Sequence, residues 1–344
     1  MRGLPGWAKW TIGILIALGI LLAAVFLWLH ALLGKIQRVD REDTSFLPRE
    51  EETFETDDDS GPAEDTVRPE DIDWSDVDVS VMQDDDVKNI LLIGQDAREG
   101  EGRSRSDTMI ICSLNRKTGK IILTSVMRDM YVPIPGYSDN RINAAYQLGG
   151  MALLDQVMEE SLGISVDGNI EVNFQGFISA FSEIGSLDIE LTEGEARYLN
   201  SNPAYLRQMG ISTEGWNLKP GVNALTAEQA LAYSRIRYVG NSDWERTDRQ
   251  RKVLAAAFSK LRSSGIGTLL RLADRIFPHL TTDMDNAQLL GYVYSVVSSG
   301  MELDGSYRIP AEGTYTNETL RAGMEVLVPD LNANSRYLQE WIYG

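Results

Sequence analysis

A run of 23 uncharged, mostly apolar residues near the amino terminus constrains this chain more than any other feature. It extends from Thr11 to Leu33, and His30 is its one ionisable side chain. A helix needs about 20 consecutive apolar residues to span the hydrocarbon core of a bilayer. A cleaved signal peptide would have a shorter apolar region and a small-residue cleavage site, and the run has neither. The run therefore predicts an uncleaved transmembrane signal anchor at residues 11–33, preceded by a short terminus at residues 1–10.

The segment after the anchor carries most of the negative charge of the chain. Residues 40–86 hold 20 acidic and 3 basic side chains, in a protein whose formal net charge is -19. Apolar residues are sparse there, so we expect residues 34–86 to form an acidic, disordered tether that self-repulsion extends. Residues 87–344 then carry a net charge of only -6. This mild acidity does not exclude an anionic ligand.

Cysteine and histidine are too scarce for several kinds of active site. Cys112 is the single cysteine, so an internal disulfide is excluded, and His30 and His279 are the only histidines. With so few of these residues, neither a Ser-His-Asp nor a Cys-His catalytic site is expected. No CxxC or HExxH metal-binding pattern is present. An enzyme built from this chain would rely on arginines, carboxylates and a metal ion. Phosphoryl transfer is a reaction that needs mainly positioning and charge neutralisation.

Strand-like and helix-like patterns alternate through the remaining chain. Predicted strands cover residues 87–95, 107–114, 120–127, 169–174 and 187–191. Predicted helices cover residues 141–148, 151–162, 177–184, 247–261 and 286–297. A capping box from Thr226 to Gln229 opens one more helix, which runs towards Tyr233. This alternation predicts an α/β fold, specifically an α-β-α sandwich with a mixed central sheet.

Charged residues stand where the predicted strands begin and end. Asp96 follows the first strand and Asp107 begins the second. Two carboxylates brought together there would suit Mg²⁺, which favours one or two carboxylates plus phosphate oxygens and water, although each aspartate could instead cap a turn. Arg128 and Asp129 follow the third strand, as part of a site or as a local ion pair. Arg141 opens a predicted helix, where a cation is favourable only if an anion is bound nearby.

Four arginines fall within fifteen residues of this acidic protein, and they are Arg235, Arg237, Arg246 and Arg249. Arginine binds phosphate through two parallel hydrogen bonds, so the cluster indicates a polyanion-binding site. Arg246, Arg249 and Gln250 are spaced i, i+3 and i+4 and would share one helix face. The alternative is an ordinary helix surface on which Asp243 and Asp248 form salt bridges with the arginines.

Eight short motifs follow one another in a characteristic order. They are Asn89-Ile-Leu-Leu-Ile-Gly-Gln-Asp-Ala-Arg98, Arg105-Ser-Asp-Thr108, Val126-Met-Arg-Asp129, Arg141-Ile-Asn-Ala-Ala-Tyr146 with Gly149-Gly150, Ala230-Leu-Ala-Tyr-Ser-Arg-Ile-Arg237, Asp243-Trp-Glu-Arg246 with Arg249-Gln250, Val326-Leu-Val-Pro-Asp330 and Ile342-Tyr-Gly344. In this order, behind one anchor and a tether, they closely resemble the LytR-CpsA-Psr family of cell-wall enzymes. The resemblance spans about residues 87–344.

The resemblance implies a single-pass protein of the cell membrane. Residues 1–10 would be cytoplasmic, and residues 87–344 would form an extracytoplasmic α-β-α catalytic domain. Family members use Mg²⁺ to transfer anionic glycopolymers, teichoic-acid-like or capsular, from an undecaprenyl-pyrophosphate carrier to a peptidoglycan sugar hydroxyl. They occur mostly in Gram-positive bacteria. The expected partners are thus the carrier-linked glycopolymer, peptidoglycan and the membrane, and the product is a phosphodiester.

Site residues carry over by position in the motifs. Asp96 and Asp107 look like the magnesium ligands. The catalytic group would be Arg128, Arg235, Arg237, Arg246 and Asp243, and the substrate-binding group Arg98, Arg141, Asp129, Arg249 and Gln250. Asp96 or Asp243 could accept the proton of the attacking hydroxyl. Arg141 replaces a frequent lysine, Met127 and Met130 replace proline and threonine, and Gly185-Ser-Leu187 replaces Gly-Gly-Val, so no charge is lost.

Three rival functions remain open from the sequence. A hydrolase of the carrier pyrophosphate would use water as the acceptor, and the same residues would serve it. A non-catalytic protein that binds polyprenyl phosphate or wall glycan would use the same pocket without turnover, although intact Asp96 and Asp107 argue against it. Arginine clusters also bind nucleic-acid phosphates, but the anchor, the acidic tether and the net charge argue strongly against a nucleic-acid partner.

Overall fold

The fold is known from a computed structural model, which describes residues 27–43, 45–54, 64–95, 103–201, 203–236, 239 and 242–344. Most of the predicted anchor lies outside these residues, and its described part, residues 27–33, is helical. Within the described ranges, no helix is long and apolar enough to cross a membrane.

A seven-stranded mixed sheet forms the centre of the protein, with the strand order β1-β10-β7-β2-β3-β4-β11. The strands in the described part of the chain are β1 (Gln37–Arg38), β2 (Val87–Gln95), β3 (Ser106–Asn115), β4 (Lys120–Val126), β5 (Tyr131–Val132), β6 (Asn140–Arg141), β7 (Gly168–Val172), β8 (Leu187–Leu191), β9 (Gly221–Leu225), β10 (Leu280–Thr282), β11 (Glu302–Ile309), β12 (Tyr315–Leu320) and β13 (Met324–Pro329). Strands β2, β3 and β4 form an antiparallel meander, while β7 and β11 add to it in parallel. The pairs β5-β6, β8-β9 and β12-β13 form three small antiparallel sheets.

The turn between β3 and β4 follows from its polar sequence. The Asn115 side chain accepts hydrogen bonds from the backbone N–H groups of Lys117 and Thr118, at 3.0 and 3.1 Å. Gly119 then adopts a positive φ of 69°, which glycine tolerates without a steric penalty. The turn makes β3 and β4 an antiparallel hairpin, which places the end of β4 beside the start of β3.

Helices cover both faces of the sheet. They are α1 (Asn143–Leu162), α2 (Phe174–Ile184), α3 (Glu193–Asn200), α4 (Ala204–Gln208), α5 (Ala227–Ser234), α6 (Ser242–Arg262), α7 (Ile266–Ile276), α8 (Asn286–Ser299) and α9 (Leu331–Tyr343). On the first face, α1 and α9 pack against the side chains of Leu91 and Ile111. On the second face, α8 packs against Ile90 and Leu114, and α2, α5 and α6 share a further core with β8 and β9. The α-β-α sandwich with a mixed sheet predicted from the sequence is confirmed.

Two predicted helices, 141–148 and 151–162, form the single element α1. They are separated by a break at Gly150, where φ is 65° and ψ is -150°. This combination of φ and ψ is essentially limited to glycine, so the backbone conformation requires Gly150. Arg141 itself does not open this helix, because it lies in β6 and forms a backbone pair with Tyr131.

The segment predicted to be a disordered tether packs against the domain in its described parts. Strand β1 joins the central sheet beside β10. Phe46 and Leu47 pack on the first-face core, as does Trp74, whose indole N–H donates to the Asp139 carboxylate at 2.8 Å. The carboxylates of this segment are mostly exposed, whereas its few apolar side chains are spaced to reach the core. The high net negative charge of the segment predicted disorder. In its described parts, contacts between scattered apolar side chains and the core hold the segment against the domain instead.

Candidate functional site

A cavity of about 590 Å³ lies between the second face of the sheet and helices α2, α5, α6 and α7. Its floor is formed by apolar side chains of β2, β3 and β7, and its walls include Phe177 and Phe181, whose rings stack with centroids 4.1 Å apart. The lining residues that matter most for a ligand's apolar part are Leu92, Ile110, Ile170, Phe177, Phe181, Leu231, Val253, Leu254, Ile276 and Leu280. This volume falls within the roughly 300–1,000 Å³ of typical ligand sites.

Polar side chains gather at one end of this cavity, where β3 begins. Asp107, Arg235, Arg246 and Gln250 line it there. Arg246 is only 3% exposed, and Arg128 donates from Nη1 to Asp107 Oδ1 at 3.0 Å. We call these four lining residues together with Arg128 the cavity mouth. The mouth thus combines three guanidinium groups with one carboxylate, and guanidinium groups are the side chains that best bind phosphate.

A β-bulge explains how Asp107 reaches the mouth. Gly94 pairs with Thr108 and Gln95 pairs with Ser106, so Asp107 is the extra residue that no residue of β2 opposes. In a regular strand, Asp107 would alternate onto the face of Met109, under α1. Bulges redirect side chains in this way and are frequent beside active sites. Sequence reasoning identified Asp107 but not the bulge, because strand periodicity alone does not reveal an extra residue.

Local structure positions Arg235 and Arg246. The predicted capping box is present: the Thr226 hydroxyl accepts from Gln229 N–H and the Gln229 side chain accepts from Thr226 N–H. Arg235 caps the carboxyl end of α5, where a cation interacts favourably with the helix dipole. Arg246 lies in the first turns of α6, on the side that lines the cavity. The buried Oε1 atom of Gln250 accepts no hydrogen bond from any described residue, so it is available to a ligand donor.

A second group of charges lies behind the mouth. Asp129 Oδ1 is 3.3 Å from Arg128 Nε and 3.6 Å from Arg141 Nε. Arg141 is 1% exposed and also donates from Nε to the Glu325 carbonyl at 2.9 Å. The carboxylate thus bridges two guanidinium groups. In this geometry Asp129 and Arg141 hold Arg128 in place.

Arg249 is held entirely by the protein. It donates from Nε to Glu195 at 2.7 Å and from Nη2 to Glu245 at 2.6 Å. Its other donors reach the carbonyl oxygens of Ile236 and Val239. Burial would raise the pKa of Glu195, but hydrogen bonds from Arg249 and from the Thr192 backbone outweigh this, and the pKa is lowered. The helix spacing suggested that Arg249 would face the ligand with Arg246, whereas the geometry favours a role in fixing the loop between α5 and α6.

Two further arginines escaped the sequence analysis. Arg251 is buried and donates to the hydroxyl groups of Ser306 and Ser125, at 2.7 and 2.8 Å, which fixes α6 across β4 and β11. Burial lowers the pKa of Arg251. The guanidinium carbon of Arg308 lies 3.8 Å from the centre of the Trp244 ring, a cation–π contact. The sequence signal for a buried partner of Arg251 was the pair of polar residues Thr124 and Ser125 in the mostly apolar strand β4.

Several predicted site residues lie outside the described residues. These are Asp96, Arg98 and Arg237, and the side chain of Asp243 is likewise not described. Among the residues that the structure describes, no group of three or more His, Cys, Asp or Glu side chains could hold a metal ion. Asp107 is therefore the one predicted magnesium ligand whose position is known.

The sequence and fold have clear relatives. The chain is 35% identical over 217 residues to the polyisoprenyl-teichoic acid–peptidoglycan teichoic acid transferase TagU of Oceanobacillus iheyensis, a match covering 61% of this chain and 62% of TagU. It is 26% identical over 262 residues to the regulatory protein MsrR of Staphylococcus aureus, covering 76% of each. The solved structure of TagT bound to LI-WTA aligns with a TM-score of 0.59 and 26% identity, covering 76% of this chain and 92% of that one.

The match to a family covers the cavity and its mouth. The LytR_cpsA_psr family matches residues 51–334, a range that contains every lining residue of the cavity and most of the packed amino-terminal segment. The sequence and the architecture therefore agree, and the protein belongs to the LytR_cpsA_psr family.

Proposed function

We propose that this protein transfers an anionic glycopolymer from an undecaprenyl-pyrophosphate carrier to a sugar hydroxyl of peptidoglycan. One observation carries the proposal: an apolar cavity ends at a mouth that holds Arg235, Arg246 and Asp107. A polyprenyl pyrophosphate has this same polarity, a long apolar tail that ends in an anion. The teichoic acid transferase activity of TagU and the structure of TagT bound to LI-WTA support the same reaction class.

The cavity would hold part of the polyprenyl tail, and the mouth would hold the pyrophosphate. Burial of apolar surface stabilises such a complex by about 25 cal/mol per Å². At the mouth, Arg128, Arg235 and Arg246 would donate charge-assisted hydrogen bonds to phosphate oxygens, which are roughly twice as strong as neutral ones. Arg237 and Arg98 remain predicted members of this group. Gln250 would donate or accept at the sugar-proximal side.

The reaction forms one bond and breaks one. A peptidoglycan hydroxyl oxygen bonds to the phosphorus that carries the glycopolymer. The bond between that phosphorus and the bridging oxygen breaks, and undecaprenyl phosphate leaves with the electron pair. The hydroxyl proton passes to a carboxylate, for which Asp243 and Asp96 are the candidates. The arginines stabilise negative charge that grows on the phosphoryl oxygens, so the protein need not supply a nucleophile.

Asp107 would offer a magnesium ion one carboxylate ligand at the mouth. The bulge turns the Asp107 carboxylate into the cavity, and Gln95, which precedes Asp96, pairs with Ser106, which precedes Asp107. Asp107 and Asp96 would hold the ion, in keeping with the preference of Mg²⁺ for one or two carboxylates plus phosphate oxygens. When bound, the ion would neutralise pyrophosphate charge and orient its oxygens.

Residues 11–33 would anchor the protein in the cell membrane as a single span. The apolar length of the run and its lack of Asp, Glu, Lys and Arg support this placement. The domain would then lie on the outer side, where the carrier presents its glycopolymer. Exposure of the domain to protease added outside intact cells, and protection of an epitope placed before Thr11, would test the orientation.

The reaction is tested with the full chain in lipid nanodiscs, a polyprenyl-pyrophosphate-linked disaccharide, peptidoglycan oligomers and Mg²⁺. We expect a phosphodiester-linked product by mass spectrometry that disappears with EDTA. Arg246→Ala should lower the transfer rate about 10²–10³-fold, as loss of one transition-state donor does elsewhere. The matched control is Arg197→Ala, which removes an exposed guanidinium paired with Glu193 on α3 and should leave the rate unchanged.

The same assay separates the rival activities. Release of phosphorylated disaccharide without acceptor would indicate a hydrolase. Bound carrier without any product, over a range of peptidoglycan acceptors, would indicate a binding protein and contradict the transferase. Near-normal transfer by Arg246→Ala would contradict the role given to the mouth.

A further inference from the structure

Helix α8 has apolar side chains beyond the side that protein covers. Leu289, Tyr292 and Val296 pack on the second face of the sheet. On an adjoining, outward side, Leu290, Val293, Tyr294 and Val297 are 44%, 61%, 72% and 74% exposed. We call these four residues the outer face of α8. An apolar side of a helix normally packs against protein or lies in a membrane.

The outer face is a continuous stripe rather than scattered residues. Its members are spaced i, i+3, i+4 and i+7, so they lie in one row along the helix. Twelve large apolar side chains are exposed among the described residues, and four of them form the outer face of α8. Leu27 and Trp28 lie in the described end of the predicted anchor, and Val39 follows the anchor. Contiguous exposed apolar surface of this kind marks an interaction site.

The chain leaves the predicted anchor right beside α8. Arg38 donates from Nη2 to the Asn286 side chain, in the first turn of α8, at 2.6 Å. Lys35 pairs with Asp274 of α7 at 2.6 Å, and Val39 N–H donates to the Thr282 carbonyl at 3.1 Å. Residues 35–39 are thus fixed between α7 and α8. Only Gly34 separates this segment from the apolar run.

We propose that the outer face of α8 rests on the lipid bilayer, in the interfacial layer next to the anchor. This inference builds on the proposed anchoring of residues 11–33. Continuity with the anchor favours lipid over a second copy of the chain, because a span ending at Leu33 brings α8 to the bilayer surface whatever the oligomeric state. Tyr294 suits this layer, since tyrosine places its ring in apolar surroundings and its hydroxyl in water.

The docked orientation brings the apolar end of the cavity towards the lipid. Ile276 and Leu280 line the cavity on the side of β10, which lies three strands across the sheet from Asp107 on β3. Gln37 of the anchor-proximal segment forms a backbone pair with Thr281, and its side chain donates to the Pro278 carbonyl at 3.4 Å. The cavity therefore ends within a few residues of the chain that leaves the membrane. A polyprenyl tail would pass from bilayer to cavity along this edge without crossing water.

Site-directed spin labelling of the full chain in proteoliposomes tests the contact. Cys112→Ser removes the single native cysteine, and nitroxides are attached through Val293→Cys and Val297→Cys in separate variants. The matched controls are Val222→Cys on β9, which is 73% exposed, and Tyr337→Cys on α9. Labels at 293 and 297 should be more accessible to oxygen and less accessible to a water-soluble nickel chelate than the control labels.

Two results would overturn the proposal. Labels at 293 and 297 that respond like those at 222 and 337 would show that the outer face is in water. Low accessibility to both reagents would show that protein, such as a second copy of the chain, covers it instead. Because these readings need no substrate, they stand even if the transferase assay fails.

A kinetic comparison adds an independent readout. The triple variant Leu290→Ser, Val293→Ser, Val297→Ser should transfer several-fold more slowly from carrier embedded in a bilayer. It should match the parent when a short-chain carrier is supplied in detergent, because the cavity mouth is untouched. Equal rates in the bilayer, or an equal loss in both settings, would contradict the membrane contact.

Discussion

The two faces of the central sheet differ in how closely side chains pack against them. Under α1 and α9, side chains such as Leu91, Ile111 and Leu153 are completely buried in one continuous core. On the second face, a cavity of about 590 Å³ separates the sheet from its helices, and α8 turns an apolar side outwards. The comparison indicates that the first face supplies stability, and that the second gives up some packing to hold a ligand.

A buried ion pair between Glu195 and Arg249 stabilises the second face. Of the changes predicted for stability, Glu195→Ala should lower the free energy of unfolding most. Glu195 accepts from Arg249 at 2.7 Å and also closes the capping box of α3 with Thr192. Removing one partner of a buried ion pair typically costs about 3–5 kcal/mol. Chemical denaturation should show this loss. The control Glu193→Ala, whose exposed pair with Arg197 lies two residues away, should change stability by less than about 0.5 kcal/mol. Comparable losses in both variants would mean that the Arg249 pair is unimportant.

The packing contrast itself predicts unequal responses to leucine truncation. Leu153→Ala on the first face should lower the free energy of unfolding by about 2–5 kcal/mol, because the close-packed core cannot fill the new void. Leu254→Ala removes the same atoms from a side chain that lines the cavity. Its loss should be clearly smaller, since these atoms already border empty space. Equal losses in the free energy of unfolding, measured by denaturation, would contradict the difference in packing between the two faces.

Filling the cavity should weaken binding of the carrier without lowering the stability of the fold. Leu254→Trp enlarges a lining side chain towards existing space rather than into a packed core. We expect carrier affinity to fall at least about tenfold, which is 1.4 kcal/mol, while unfolding changes little. Titration with a fluorescent polyprenyl phosphate measures the first quantity and thermal unfolding the second. Unchanged affinity would place the tail elsewhere.

The smallest predicted effect concerns a buried carboxyl on the first face. Burial raises the pKa of Asp155 from 3.8 to about 7, despite a hydrogen bond from Asn169. The folded state therefore holds this proton more tightly than the unfolded state, so stability falls as the pH rises from 3.8 to about 7 and is level above that. Asp155→Asn keeps an acceptor for Asn169 and removes the titration. The variant should be more stable than the parent by about 1 kcal/mol near pH 9 and no more stable near pH 5, as thermal unfolding at both values would show. A constant difference between the two would contradict the assignment.

Local patterns predicted the elements that depend on neighbouring residues. Strands β2, β3 and β4, the Thr226 capping box and helix α6 are all confirmed, because caps and apolar spacing act over a few residues. Strands β10 and β11 were missed, since short or exposed strands have no clear pattern of their own. Their places are set by partners far away in sequence, such as β11 beside β4.

Partners distant in sequence also decide the different roles of two arginines. Arg246 and Arg249 have equivalent helix spacing, and only the structure shows that one lines the cavity while the other meets Glu195. The distinguishing partner lies 54 residues away, so spacing on one helix could not reveal it. The roles of Asp96, Arg98, Arg237 and Asp243 stay predictions.

Strand β1 has a consequence for the geometry of wall assembly. Because Gln37 and Arg38 are already part of the central sheet, the chain has almost no slack between the proposed span and the domain. A flexible linker would let the domain reach glycan strands at many heights above the membrane. With the proposed anchoring and function, a domain with a radius of gyration of about 19 Å would instead work within one layer next to the bilayer. The newest strands, still close to the membrane, would then be its acceptors, and older, outlying wall would lie beyond its reach.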